Sequence, residues 1–201
     1  MNRMRYHRIV ATCCCGGHGS GARPGSFFWP STPLIGTKPG AIPRTMKVGE
    51  AQQTHPGAAR WASALYVKSI SPSPARFGTL IQTIGADDYL GERIRMTAYV
   101  KTEDIRGDGV GMWMRIDGKD RSSKGLSFYN MCDKPITGTT DWKKYEIVLD
   151  VPKKKSDSIF YGLLLYGTGQ AWLQDVKFEI VDHKQHVTKM PSSGCSAFKP
   201  R

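Results

Sequence analysis

The stretch Arg93-Ile94-Arg95-Met96-Thr97-Ala98-Tyr99-Val100-Lys101 decides the fold. Apolar and polar residues alternate along it, and side chains change sides at every residue of an extended strand. Ile94, Met96, Ala98 and Val100 therefore share one face, and Arg95, Thr97, Tyr99 and Lys101 the other. A helix would need apolar spacings of three and four, which are missing here. The first set reads as core and the second as an outer face.

The same reading, carried outward, gives strands at Ala62–Ile70, Phe77–Ile84, Gly109–Ile116, Gly125–Asn130, Lys144–Val151, Ser158–Tyr166 and Ala171–Ile180. Turn residues separate them: Ser71-Pro72-Ser73-Pro74, Gly85 to Asp88, Arg106-Gly107-Asp108, Asp117-Gly118-Lys119-Asp120, Pro135 to Asp141, Pro152 to Asp157, and Gly167-Thr168-Gly169. Asp-Gly after a strand is a hairpin signal. Asp87–Gly91 can form a single helical turn. Regularly spaced short strands predict an all-β fold, a two-sheet antiparallel jelly-roll β-sandwich of about eight strands. Parity places Met112, Met114 and Ile116 opposite Trp113, Arg115 and Asp117. Tyr145, Ile147, Leu149 and Val151 share a face, as do Trp172, Gln174, Val176, Phe178 and Ile180. Ser158–Tyr166 is apolar on both faces, as a central strand should be.

The chain has 201 residues and a formal charge of +12, but the charge is uneven. Residues 1–49 hold seven Lys or Arg and no carboxylate; residues 183–201 hold Lys184, Lys189, Lys199 and Arg201, again with no carboxylate. The middle is nearly neutral. The expected organisation is a disordered basic tail over 1–45, the sandwich over 46–182, and a second disordered basic tail over 183–201. The first tail admits three readings: an organelle transit segment, a secretory signal, or an extension upstream of a start at Met46. No apolar run approaches the ~20 residues of a membrane helix. The expected location is cytoplasmic. Of five cysteines, Cys13, Cys14 and Cys15 are adjacent and Cys132 and Cys195 isolated, which does not suggest a disulfide framework.

Catalytic templates fail. There is no His-Glu-x-x-His, Gly-x-Ser-x-Gly or Cys-x-x-Cys. Gly107-x-Gly109-x-Gly111 opens a strand, whereas a dinucleotide loop must open a helix. The Cys13–Cys15 tract with His18 reads as an accidental feature of a tail, and His183 and His186 as solvated residues. No cofactor and no metal site are expected. Asp175 alone is too little for a calcium ion needing 6–8 oxygens. Basic tails can bind phosphate without specificity, but the neutral middle offers no basic stripe with interleaved aromatics, so no nucleic-acid partner is expected for the folded domain.

What remains is a ligand-binding candidate. Tyr99, Trp113, Arg115, Gln82 and Asn130 come from four strands and combine flat rings with placed donors and acceptors, as a groove for a carbohydrate-like molecule requires. The structural alternative has Trp113 and Tyr99 closing the sandwich under a loop and Arg115 tied to Asp117.

Four segments carry a family resemblance: Arg95 to Asp104, Gly111-Met112-Trp113-Met114-Arg115-Ile116-Asp117, Thr139 to Val151 with Asp141-Trp142-Lys143-Lys144, and Phe160 to Val176 with Trp172-Leu173-Gln174-Asp175-Val176. Together they resemble the bacterial galactose-binding-like jelly-roll domains found alone or attached to AraC-type transcriptional regulators, related in architecture to carbohydrate-binding modules. The resemblance spans residues 46–181. It implies a non-catalytic ligand-binding or sensory module. The sequence departs at Tyr129, where the family more usually has an acidic residue, and it contains no helix-turn-helix. A protein-interaction domain associated with transcriptional regulation and a hydrolase on a jelly roll are the other classes.

Overall fold

The computed structural model describes residues 46–58, 62–74, 77–192 and 195. The expectations for residues 1–45, including Cys13–Cys15 and His18, lie outside them. Seven strands follow in order: β1 Met46–Ala51, β2 Ala64–Ser69, β3 Gly78–Gly85, β4 Arg93–Gly118, β5 Ser127–Tyr129, β6 Ile136–Asp150 and β7 Ser156–Val181. The strand pairings among the described residues are antiparallel. A single 3-10 turn over Asp87–Tyr89 fills the expected one-turn segment.

Two pairs of expected strands are continuous. β4 and β7 each run 26 residues and pair with one another along their length, from Arg93 opposite Val181 to Gly118 opposite Ser156. The glycines at 107, 109, 167 and 169 do not break them; they sit at register shifts between Glu103 and Gly109 where the ribbon bends. The ribbon thereby enters both layers. One layer holds β1, β2, the second half of β7, the first half of β4 and most of β6; the other holds β3, the first half of β7, the second half of β4 and β5.

The layers meet through their apolar faces. Tyr161 of one half of β7 makes an edge contact with Phe178 of the other, centroids 5.0 Å apart. Met46 and Val67 crowd Gly78 from across the core. Ile94, Met96, Ala98 and Val100 join Val110, Met112, Met114 and Ile116 in one buried cluster, as alternation predicts.

Parity fails in one place. Asp175 adopts a left-handed conformation, φ 59°, at a register shift between Thr97 and Tyr99. This bulge inserts one residue. Trp172 and Gln174, paired with Lys101 and Tyr99, face outward, whereas Phe178, paired with Met96, faces the core. They do not share the face that strict alternation gave them.

The folded boundary also moves. The amide of Thr188 donates to the carbonyl of Val148, and Thr188 Oγ1 accepts from the Val148 amide, so this segment covers the free edge of β6. Arg93 holds the His183 and Gln185 carbonyls, and Val187 and Met190 pack on the core. Pro/Ser/Gly punctuation starts only at Pro191, so apolar contacts continue past residue 182. A disulfide then joins Cys195 to Cys132, with Cα atoms 5.5 Å apart and a sequence separation of 63. Isolation in sequence concealed that pair.

Candidate functional site

The five residues expected to form one groove lie in three places. Gln82 on β3 pairs with Tyr161, which pairs with Met114, so Gln82 points into the core; its Oε1 is buried without a hydrogen-bond partner among the described residues. Trp113 and Arg115 belong to the outer face of the β3–β5 layer, and Asn130 follows the end of β5. Tyr99 lies on the outer face of the opposite layer. The two halves of β4 show outward residues on opposite sides of the sandwich because the strand bends from one layer into the other.

The Trp113 group is satisfied internally. Trp113 is buried and reaches across β7, opposite Gly162, to donate from Nε1 to Thr79 Oγ1 at 3.2 Å. Arg115 lies over the Phe160 ring, 5.1 Å from its centroid, and donates to both oxygens of Asp117 at 2.8 and 2.7 Å. Asp117 is itself buried and also accepts the Gly125 amide. Asn130 Oδ1 accepts the Cys132 amide. Of the structural alternative, the tie of Arg115 to Asp117 is present, and Trp113 Nε1, two Arg115 nitrogens and Asn130 Oδ1 are engaged within the chain.

The opposite face differs. Cross-strand register aligns Gly49, Tyr66, Trp172 and Lys101 in one row over β1, β2, β7 and β4. Gly49 matters: a Cβ there would lie 2.7 Å from the Tyr66 ring, so its absence lets that ring lie over β1. The Lys101 ammonium lies 5.8 Å from the Trp172 ring centroid, within cation–π range. In the next row, Gln174 stands opposite Tyr99, and Tyr99 opposite Lys144. His55 stacks on Tyr99 with centroids 3.8 Å apart and planes 9° from parallel. Its amide donates to Gln174 Oε1 at 2.8 Å, and its ring nitrogens face the Pro56 carbonyl and Asp175 Oδ2. Trp142 meets the His55 ring edge-on at 6.4 Å.

Two buried donors on this face have no partner among the described residues: Trp172 Nε1 and Gln174 Nε2. Tyr66, Tyr99, Lys101 and Trp142 are half-buried, neither sealed in the core nor fully solvated. Of the five residues expected from the sequence, Tyr99 alone lies on this face; Tyr66, Trp172 and Gln174 were not among them. The available signal was Gly49 facing an aromatic residue, and it becomes visible only once β1 is recognised as a strand.

No group of three or more His, Cys, Asp or Glu able to hold a metal ion occurs among the described residues. Titration shifts belong to structural groups. The hydrogen bond from Arg93 holds the Asp150 carboxyl below its ordinary range, against a smaller opposing effect of burial. Burial, then the hydrogen bond to Asp133, pushes the Tyr129 phenol up. The Tyr129 hydroxyl donates to Asp133 Oδ1 at 2.5 Å. No helix among the described residues is long and apolar enough to cross a membrane.

No family model matches the chain. An uncharacterised HTH-type transcriptional regulator, YbfP of Bacillus subtilis (strain 168), is 36% identical over 156 residues, covering 77% of this chain and 50% of the regulator. The chain thus spans about half the length of that relative. Among solved structures, the Clostridium thermocellum N-terminal endo-1,4-β-D-xylanase 10B CBM22-1–GH10 modules complexed with xylohexaose match at 10% identity and TM-score 0.50, over 69% of this chain and 25% of that one. The enzymatically active domain of bacteriophage CBA120 tailspike protein 4 matches at 14% identity and TM-score 0.49, over 68% and 18%. The chain has the jelly-roll fold seen in carbohydrate-binding modules, and its sequence is related to half the length of an HTH-type regulator.

Proposed function

We propose that this chain is a non-catalytic ligand-binding module that holds a carbohydrate-like molecule on the outer face of the β1–β6 layer. The observation that carries this reading is the row Gly49–Tyr66–Trp172–Lys101. It supplies a flat aromatic surface beside buried donors without partners, the combination that sugar recognition uses. Tyr99, in the next row, and Trp142 flank it around the His55 ring. Trp113, Arg115 and Asn130 are read as stabilising the opposite layer, because their polar groups already serve neighbouring groups of the chain.

The relationship to a regulator favours a sensory role, in which ligand binding is reported to a transcriptional partner. It also favours the alternative reading of a protein-interaction domain. The test is glycan binding by the full chain and by Tyr66→Ala, followed by calorimetry over neutral and acidic oligosaccharides. Binding that Tyr66→Ala abolishes, with unchanged unfolding, supports the module. Absence of heat with every oligosaccharide, together with retention of a regulator partner, would favour the interaction domain.

A further inference from the structure

The face proposed above has an unequal supply of donors and acceptors, and that inequality specifies its ligand. Trp172 Nε1 carries a hydrogen and no lone pair for acceptance, and Gln174 Nε2 carries two hydrogens. Both are buried, 2% and 4% exposed as residues, and both lack a partner among the described residues. Gln174 Oε1, the acceptor end of the same side chain, is already occupied by the His55 amide. The unmet demand is therefore entirely for acceptors.

The charge on the face has the same sign. Lys47 and Lys68 stand opposite one another one row away from Tyr66, and Lys101 ends the Tyr66–Trp172 row. None of the three forms an ion pair among the described residues. Glu103, opposite Gln170 at the end of the Lys47–Lys68 row, is exposed and gives the face one carboxylate there. Asp175, beside Gln174, is already held by His55 and Lys177. A neutral sugar's hydroxyls, each with one O–H and two lone pairs, can accept from both donors but would leave three cations unmatched. A carboxylate offers acceptor capacity alone.

We infer that the ligand is an acidic carbohydrate, an oligosaccharide whose sugar rings carry carboxylates. The rings lie against Tyr66, and a carboxylate takes hydrogen bonds from Trp172 Nε1 and Gln174 Nε2 while Lys101 and Lys68 balance its charge. Charge-assisted hydrogen bonds of this kind are the stronger ones. The inference rests on the reading of this face as a carbohydrate site.

The experiment titrates the full chain with tetragalacturonate, its methyl ester, xylohexaose and a single-stranded DNA oligomer of similar charge, by calorimetry and by the indole N–H resonances. The indole signal of Trp172 is identified with Trp172→Phe. The expected result is binding of tetragalacturonate that moves the Trp172 indole signal. Methyl esterification should weaken it about tenfold, as should Lys101→Gln with Lys68→Gln, and added salt should weaken it further. Equal or tighter binding of xylohexaose, with the Trp172 signal moving, would overturn the acidic specificity and leave the carbohydrate site standing. Binding by none of the oligosaccharides would overturn both. Equal binding of the DNA oligomer would overturn the inference by making the face a general polyanion surface.

Discussion

At the scale of single residues, identity showed which groups have chemistry to offer, and the structure shows which have spent it. Arg115 and Trp113 are strong candidates on residue type alone. Two positions along the same strand face, however, Asp117 takes both arms of Arg115. Arg115→Ala would leave that buried carboxylate with the Gly125 amide alone, an expected loss of about 2 kcal/mol in urea unfolding, discounted because Arg115 is one-third exposed. Thr79→Val removes the acceptor of the buried Trp113 indole and should cost about 1–2 kcal/mol in the same measurement. Neither change should alter ligand binding.

The Arg93–Asp150 pair carries a pH signature. Its hydrogen bond lowers the folded-state pKa of Asp150. A depressed carboxylate stabilises the fold above its unfolded pKa, about pH 4, and loses that contribution as pH falls through the lower folded value. The difference in unfolding free energy between the native chain and Arg93→Leu should stay constant above about pH 5 and shrink below it. A difference that grows toward acid would contradict the pairing.

At the scale of elements, alternation was legible wherever strands were regular. Arg93–Lys101 gave its inward residues correctly, because one face is apolar and the other polar; in Lys144–Val151 the shared face of Ile147, Leu149 and Val151 is buried, but so is Val148 on the other. Three features were illegible, each for a physical reason. Glycine-rich stretches read as turns, yet glycines at a bend let β4 and β7 continue. One bulge at Asp175 reverses facing without marking composition, so Trp172 and Gln174 were grouped with core residues. Gln82 is polar but points inward, and period alone cannot reveal an exception to burial. The bulge gives a prediction: Asp175→Val, β-branched at φ 59°, should destabilise by about 2 kcal/mol, whereas Asp175→Gly retains the conformation and should cost less. Equal effects of the two would mean that the bulge is unimportant.

Gly162 constrains the neighbouring strand pair. A Cβ there would fall on the backbone oxygen of Leu80, where no side-chain rotation gives relief. The β3–β7 pairing thus depends on this glycine, an element-level requirement that its surrounding leucines and tyrosine do not announce.

At the scale of the whole molecule, the charge of +12 divides into basic ends and a nearly neutral middle, but the fold extends into the basic C-terminal region. The segment through Met190 covers β6, and Cys195 fastens to the loop that follows β5. Closing a loop of this length should stabilise by about 3–4 kcal/mol. Urea unfolding with and without dithiothreitol should show a difference of that size, and Cys195→Ser should reproduce the reduced value. Disulfides persist in oxidising surroundings and are rare in the cytosol. Counting free thiols in the chain as isolated from its source therefore bears directly on the cytoplasmic expectation. Truncation for binding studies must retain residue 195.

The two outer faces of the sandwich make opposite claims on function, and each owns a tryptophan. Trp113 is hydrogen-bonded to Thr79, whereas Trp172 carries a donor without a partner among the described residues. The most direct measurement follows the Trp113 and Trp172 indole N–H resonances, identified among the five of the full chain with Trp113→Phe and Trp172→Phe, while tetragalacturonate, or whichever oligosaccharide gives the largest calorimetric signal, is added. Movement of the Trp172 signal with Trp113 unchanged is the predicted result. Movement of Trp113 with Trp172 unchanged would place the ligand on the β3–β5 layer and contradict the account.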